Sequence, residues 1–268
     1  MAKKRILYVS QEITPYLPAN DLSKTARFLP QAMNESGIEV RLFMPRFGCI
    51  NERRHQLHEV IRLSGMNLIV NDIDQPLIIK VASIPQARMQ VYFIDNEEYF
   101  KRKFTTEDKK EKFYDDNDER ALFFCRGVIE SVKKLGWSPD VIHCNGWMAS
   151  FLPMYLKKFY HDDPIFEKTK VVFSFYNHSF EGTLNKGLAA KMIFDGFDDE
   201  DVAGFDAADN KKLIETAIKY SDAVIKGSSE LDADLNDMID SAKLPTLEFA
   251  DSEYKEQYKP FYESLFED

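Results

Sequence analysis

Glycine is scarce in this chain of 268 residues: there are 11, and no two stand closer than Gly182 and Gly187. A G-x-G-x-x-G turn or a Walker-type loop needs paired glycines within a few positions, so that backbone amides can close on a phosphate. Neither loop is present: no G-x-G occurs, and Gly187 is followed by Leu188 and Ala189 rather than by Lys and Ser or Thr. Cysteine is equally sparse. Cys49, Cys125 and Cys144 are odd in number, far apart and without C-x-x-C spacing. They suit reduced, buried thiols in a cytoplasmic protein rather than a disulfide framework or a thiolate metal site. No stretch approaches the ~20 apolar residues of a membrane span. The basic start, residues 1–5, precedes only four apolar residues at 6–9, fewer than the roughly 7–15 of a signal-peptide core. Positive charge is short as well: 35 Lys and Arg face 45 Asp and Glu, a net charge of −10. Neither nucleic acid nor an anionic membrane is therefore an expected partner.

What is present is the composition of an ordinary globular protein, 44% hydrophobic and 30% charged. At this length folding buries roughly three quarters of the unfolded surface, so no disulfide or metal staple is required. The first fifty residues read as strand (5–10), helix (22–36, ending at Gly37) and strand (39–44, closed by Pro45). Pro30 is expected to kink or restart that helix. Short strand signals then crowd residues 58–95 (59–63, 67–70, 77–82 and 90–94), separated by turn residues such as those at 71–74. The charge run at 101–112 reads as a solvated loop. Residues 118–135 carry one apolar face at Ala121, Cys125, Val128, Val132 and Leu135, the helical period.

A strand–helix rhythm follows, with strands at 140–144, 170–175 and 222–226, helices at 147–159 and 210–219, and a last helix expected from Ser228 or Ser229. Such βαβ alternation predicts an α/β fold, a Rossmann-like, doubly wound, mostly parallel sheet, with a β-rich insertion at about 58–95. The domain is expected to span 1–247. The tail, 248–268, holds seven acidic residues and two lysines, yet also Tyr254, Tyr258, Tyr262 and Leu265 at helical spacing, with Pro260 as an interruption. So many aromatics predict a docked helix rather than a free acidic tail.

Spacing alone gives few chemical groups. His55 and His58 with Glu59 lack a third ligand at metal spacing, so surface histidines are expected and no metal site. Glu12, His143 and Asn177, the last beside His178, follow or end three strands, where doubly wound folds gather ligand contacts. Carboxylate, imidazole and amide in one crevice would suit sugar hydroxyls, with Trp147 to stack on a pyranose ring.

These residues resemble the bacterial glycogen and starch synthases, glycosyltransferase family 5 with the two-domain GT-B architecture. The resemblance runs from about Arg5 to about Ser229. It is carried by Ile6-Leu-Tyr-Val-Ser-Gln-Glu12 with Pro15-Tyr16, by Leu29-Pro-Gln-Ala-Met33, and by Val91-Tyr-Phe-Ile-Asp95 with Tyr99-Phe100. Asp116-Asn117 with Glu119-Arg120, Asp140-Val-Ile-His143 with Trp147, Leu152-Pro-Met-Tyr-Leu156 and Tyr220-Ser-Asp-Ala-Val224 continue it in order. The resemblance implies one GT-B half, the acceptor-side N-terminal domain, with the donor-binding domain absent. It implies glucosyl transfer from ADP-glucose to an α-1,4-glucan as the family reaction. The residues that keep the pattern are Glu12, Asn117, Arg120, His143, Trp147, Asn177 and Gly182. All of these except Gly182, together with Tyr16, are the candidate substrate contacts.

The departures fall on the donor side. The family's Lys-Thr-Gly-Gly-Leu loop reads Pro18-Ala-Asn20-Asp21-Leu22, which loses a lysine and two glycines and adds a carboxylate. The family's His-Asp-Trp-His reads Asn145-Gly-Trp-Met148, its next His-Asn reads Tyr176-Asn177, and its Asn-x-x-Lys ends in Glu215. A departing diphosphate must be neutralised for transfer, so the chain is expected to be inactive alone, with no catalytic residue and no cofactor. The expected role is α-glucan or maltooligosaccharide binding or regulation. One alternative is a transferase half completed by a separate donor-binding protein partner at an apolar face. The other is an unrelated ligand-binding or scaffold role on the same fold.

Overall fold

A computed structural model describes residues 3–177 and 180–266. In chain order its elements are β1 (Arg5–Ser10), α1 (Asp21–Glu35), β2 (Glu39–Pro45), α2 (Glu52–His55), β3 (His58–Glu59), β4 (Met66–Val70), β5 (Ile73–Ile84), β6 (Met89–Asp95) and α3 (Glu97–Phe100). There follow α4 (Asn117–Leu135), β7 (Val141–Asn145), a 3₁₀ turn (Trp147–Ala149), α5 (Phe151–Phe159), β8 (Lys170–Phe175) and α6 (Leu188–Phe194). The last are α7 (Asn210–Lys219), β9 (Ala223–Lys226), α8 (Ala233–Ala242), β10 (Thr246–Leu247), a π turn (Tyr254–Tyr258) and α9 (Lys259–Phe266).

The strands form one sheet in the order β10-β9-β8-β7-β1-β2-β6-β5-β3, with β4 paired to β5. From β10 to β6 every pairing is parallel; β5, β3 and β4 are antiparallel. This is the expected α/β architecture, a Rossmann-like GT-B half with an antiparallel insertion. The central strands are buried on both faces, which is why β1 and β8 read as apolar runs without alternation. The insertion turns where Asn71 and Asp72 both take positive φ (52° and 59°) between the paired residues Val70 and Ile73, a two-residue hairpin that asparagine and aspartate tolerate.

His143 and Cys144 are neighbours on β7, so their side chains point to opposite faces of the sheet. His143 meets Tyr262 of α9, whereas the Cys125 thiol of α4 reaches the chain just after β7, at the Met148 carbonyl. Helix α1 and the tail therefore cover one face, and α4 with its neighbours α5 and α7 covers the other. The chain leaves β1 toward β2 and returns later to β7 on its other side. The order thus reverses between β1 and β7, the switch point at whose carboxyl end doubly wound folds place ligands.

Several boundaries differ from the sequence reading. Helix α1 continues through Pro30 rather than restarting there, and the proline is buried with Ala26, Leu29 and Met33. Residues 147–159 divide into a 3₁₀ turn and α5. Helix α8 starts at Ala233, not at Ser228 or Ser229. Cys125 and Cys144 are buried, but Cys49 is exposed, because it lies in a loop beyond β2. Among the described residues no helix is long and apolar enough to cross a membrane.

Candidate functional site

The carboxyl ends of β1 and β7 meet directly. The Gln11 amide donates to the Asn145 carbonyl at 3.0 Å, and the Gln11 side chain accepts from the Met148 amide at 3.1 Å. Gly146 takes φ +86°, and a Cβ there would stand 2.7 Å from the Gln11 Cβ. Only glycine allows the two loops to come this close. Tyr176, beyond β8, donates to the Asn145 side chain at 3.2 Å, and its ring fills the space over Gly227, where a Cβ would lie 2.4 Å from it. The switch point is packed by the chain itself.

Beside it starts α1. Its first turn is closed by a capping box: Asn20 accepts from the Ser23 amide at 2.7 Å, and Ser23 accepts from the Asn20 amide at 2.9 Å. The Asn20 amide group also donates to Glu12 at 2.6 Å, and the exposed Asp21 carboxylate sits at the positive end of the helix dipole. A helix N-terminus offers an anion free amides and positive potential. Here the Asn20 and Ser23 amides are already engaged, and Asp21 offsets the positive potential.

Between the α1 start and the ends of β8 and β9 lies a cleft of ≈ 210 Å³ lined by Asn20, Asp21, Leu22, Tyr176, Asn177 and residues Ser228, Ser229 and Glu230. Asn177 ties its two walls together, donating to the Glu230 carbonyl at 2.6 Å and accepting from the Asp232 amide at 2.9 Å. Two carboxylates and, among the described residues, no cation line this cleft. Lys226, the last residue of β9, turns instead to Asp240 (2.9 Å) and Glu248 (3.1 Å).

Residues 5–239 match the family model of the starch synthase catalytic domain. The chain belongs to that family. It is 35% identical to the glycogen synthase of Chlorobium luteolum over 233 residues, 86% of this chain and 46% of the relative. It is 36% identical to that of Chlorobaculum tepidum over 225 residues, 82% of this chain and 45% of the relative. The catalytic domain of Starch Synthase IV from Arabidopsis thaliana, solved bound to ADP and acarbose, superposes with a TM-score of 0.68 at 17% identity, over 94% of this chain and 52% of that one. The chain thus spans about half the length of the glycogen synthases it matches.

The retained residues of the starch synthase pattern lie mostly inside. Glu12, His143 and Asn177 do not line one open crevice. His143 is wholly buried beneath α9, its Nδ1 2.6 Å from the Tyr262 hydroxyl and its Nε2 2.6 Å from that of Ser174. Desolvation pushes the imidazole down from 6.5 to about 3, so it is neutral at ordinary pH. Trp147 offers no open face, being packed against Phe113 and Phe180 at ring separations of 5.7 and 5.0 Å. Tyr16 is buried edge-on to Phe93 and His55, and desolvation pushes its hydroxyl up to about 12.

Arg120 is fully buried, donating to Asn117 at 2.5 Å and to the Tyr99 carbonyl at 2.8 Å, with Phe47, Phe100 and Tyr114 against its guanidinium. Desolvation lowers it to about 10. Asn117 passes the link on to the Thr106 carbonyl at 2.7 Å. Asn117 and Arg120 hold a loop to α4 rather than facing a ligand.

Of the altered positions, Pro18, Asn20 and Asp21 form the loop into α1, and Tyr176 floors the cleft. Met148 is buried. Glu215 stands apart, on a groove between α7 and α8. His55 lies on Tyr16 while His58 is in the exposed strand β3, and no cluster of metal-ligating side chains occurs among the described residues. His178 lies outside the described residues. Of Gln11, Asn145, Ser174 and Tyr262, which organise the site, the sequence marks Asn145 only as part of an altered motif and Tyr262 only as part of a docked tail. The one available signal was the helical spacing of Tyr254, Tyr258 and Tyr262.

Proposed function

We propose that this member of the starch synthase family recognises α-glucan and does not transfer glucose. The observation that carries the reading is the closed N-terminus of α1. The capping box engages the Asn20 and Ser23 amides, Asp21 adds a negative charge, and among the described residues the adjoining cleft holds Asp21 and Glu230 without a cation. A sugar diphosphate brought there would meet repulsion where transfer needs neutralisation of the leaving group. The same lining of amide, hydroxyl, carboxylate and tyrosine ring is the usual chemistry for neutral sugar hydroxyls. Acarbose, an α-glucan analogue, is bound by the Arabidopsis relative together with ADP, which supports a glucan as the ligand class.

Calorimetric titration of maltoheptaose into the pure protein tests this. Saturable binding is expected, and Ser229→Trp, which fills the cleft, abolishes it. Undiminished binding by that variant, or none by the wild type, overturns the reading.

A further inference from the structure

We infer that a second ligand site lies at the amino end of the sheet and takes a small molecule bearing two or more phosphate-type charges. Two adjoining clefts of ≈ 630 and ≈ 570 Å³ open there and share Lys4, Asp140, Glu167, Lys168 and Thr169. Across both linings Lys3, Lys4, Lys157, Lys168 and Lys170 face three carboxylates, Asp140, Glu167 and Asp222, while Arg5 is drawn off to Glu39 at 3.3 Å. The excess is positive in a chain whose net charge is −10.

Two of those carboxylates are already committed. Asp140 accepts from the Arg5 amide at 2.8 Å and from Lys4 at 3.0 Å. Asp222 accepts from the Val171 amide at 2.7 Å and from Lys157 at 2.8 Å. Among the described residues, Lys3, Lys168 and Lys170 have no carboxylate partner, unlike Lys4 and Lys157 beside them. Unpaired lysines gathered at a concave surface focus positive potential into it. The floor between them is apolar: Pro139, Pro164, Ile165 and Phe266, the last with the Lys4 ammonium 4.8 Å from its ring centre. Cations on the rim and carbon surface below fit a compact polyanion with a carbon skeleton. The site is at the opposite end of the strands from the α1 cleft and has the opposite sign, so it is not a displaced version of that cleft.

Titration of inorganic pyrophosphate, and separately of a hexose bisphosphate, into the whole protein at low salt tests the inference. Saturable binding is expected, weaker as salt rises. Lys3→Glu with Lys168→Glu, both at exposed positions, should weaken it by about tenfold or more. The same change of charge at Lys109 and Lys110, in the exposed loop before α4, should leave it within about twofold. Pyrophosphate bound as well as the bisphosphate keeps the anion site and removes the role of the apolar floor. No binding by either probe, or equal loss from both double variants, overturns the inference. Melting temperatures of all variants show that they fold.

Discussion

The two ends of the parallel sheet carry opposite chemistry. At the carboxyl end, where doubly wound folds place their ligands, Gln11, Asn145, Gly146 and Tyr176 pack the switch point shut, and α1 begins with its own cap and an added carboxylate. At the amino end, where such folds rarely bind anything, lysines stand unpaired around open clefts. The contrast separates what the family pattern preserves from what it uses. The retained residues Arg120, Asn117, His143 and Trp147 are interior residues that shape the fold. The altered ones gather mostly at the α1 start and the β8 end, around the cleft that Asp21 and Tyr176 line.

If the retained residues are structural, breaking them should cost stability heavily. Arg120→Met leaves Asn117 and the Tyr99 carbonyl unpaired inside the protein and should lower unfolding free energy by about 3 kcal/mol or more. Urea denaturation measures it; a loss under ~1 kcal/mol would return Arg120 to the list of ligand contacts.

His143 offers a second break, through pH. Its folded-state value near 3 lies below the ordinary 6.5. Between those values the unfolded chain holds a proton that the folded chain refuses. This contribution is fully present above about pH 6.5 and falls by ~1.4 kcal/mol per pH unit on acidification toward 3. No charged side chain faces the imidazole among its recorded partners, which are Tyr262, Ser174 and the Tyr8 ring. Stability measured from pH 7 to 4 should therefore fall less steeply in His143→Gln, by about one proton. Parallel curves would mean that His143 is solvated, and an open crevice would again be in play.

A smaller effect sharpens the account of the α1 start. Asn20→Ala removes the cap and should cost about 1 kcal/mol. The smallest is expected from Lys255→Ala. It breaks the half-exposed Lys255–Glu35 pair between the tail and α1 and should leave stability almost unchanged, since the tail is held by Tyr258 and Tyr262 rather than by charge. A loss larger than that of Asn20→Ala in thermal or urea unfolding would reverse that ranking.

The fold was legible because its signals are local. Apolar runs such as 6–9, the face of α4 and glycines such as Gly37 and Gly136 encode strand, helix and stop within a few residues of one another. The site was legible only in part. The departures at Pro18, Asn20 and Asp21 could be read directly, since the chemistry lost there is that of the residues themselves. The burial of His143 could not, because it depends on Tyr262, 119 positions away. Trp147 reads as a stacking surface in the sequence, but in the fold Phe113 and Phe180 lie against it from distant loops. Periodicity shows that a side chain faces inward; which element covers it is decided by topology.

The reading proposed for the carboxyl end of this domain is that it offers a donor diphosphate no neutralisation. Its most direct test is transfer of labelled glucose from ADP-glucose to glycogen by the pure protein. No label in glycogen above background is expected while maltoheptaose still binds; label incorporated by the pure protein would overturn the proposal.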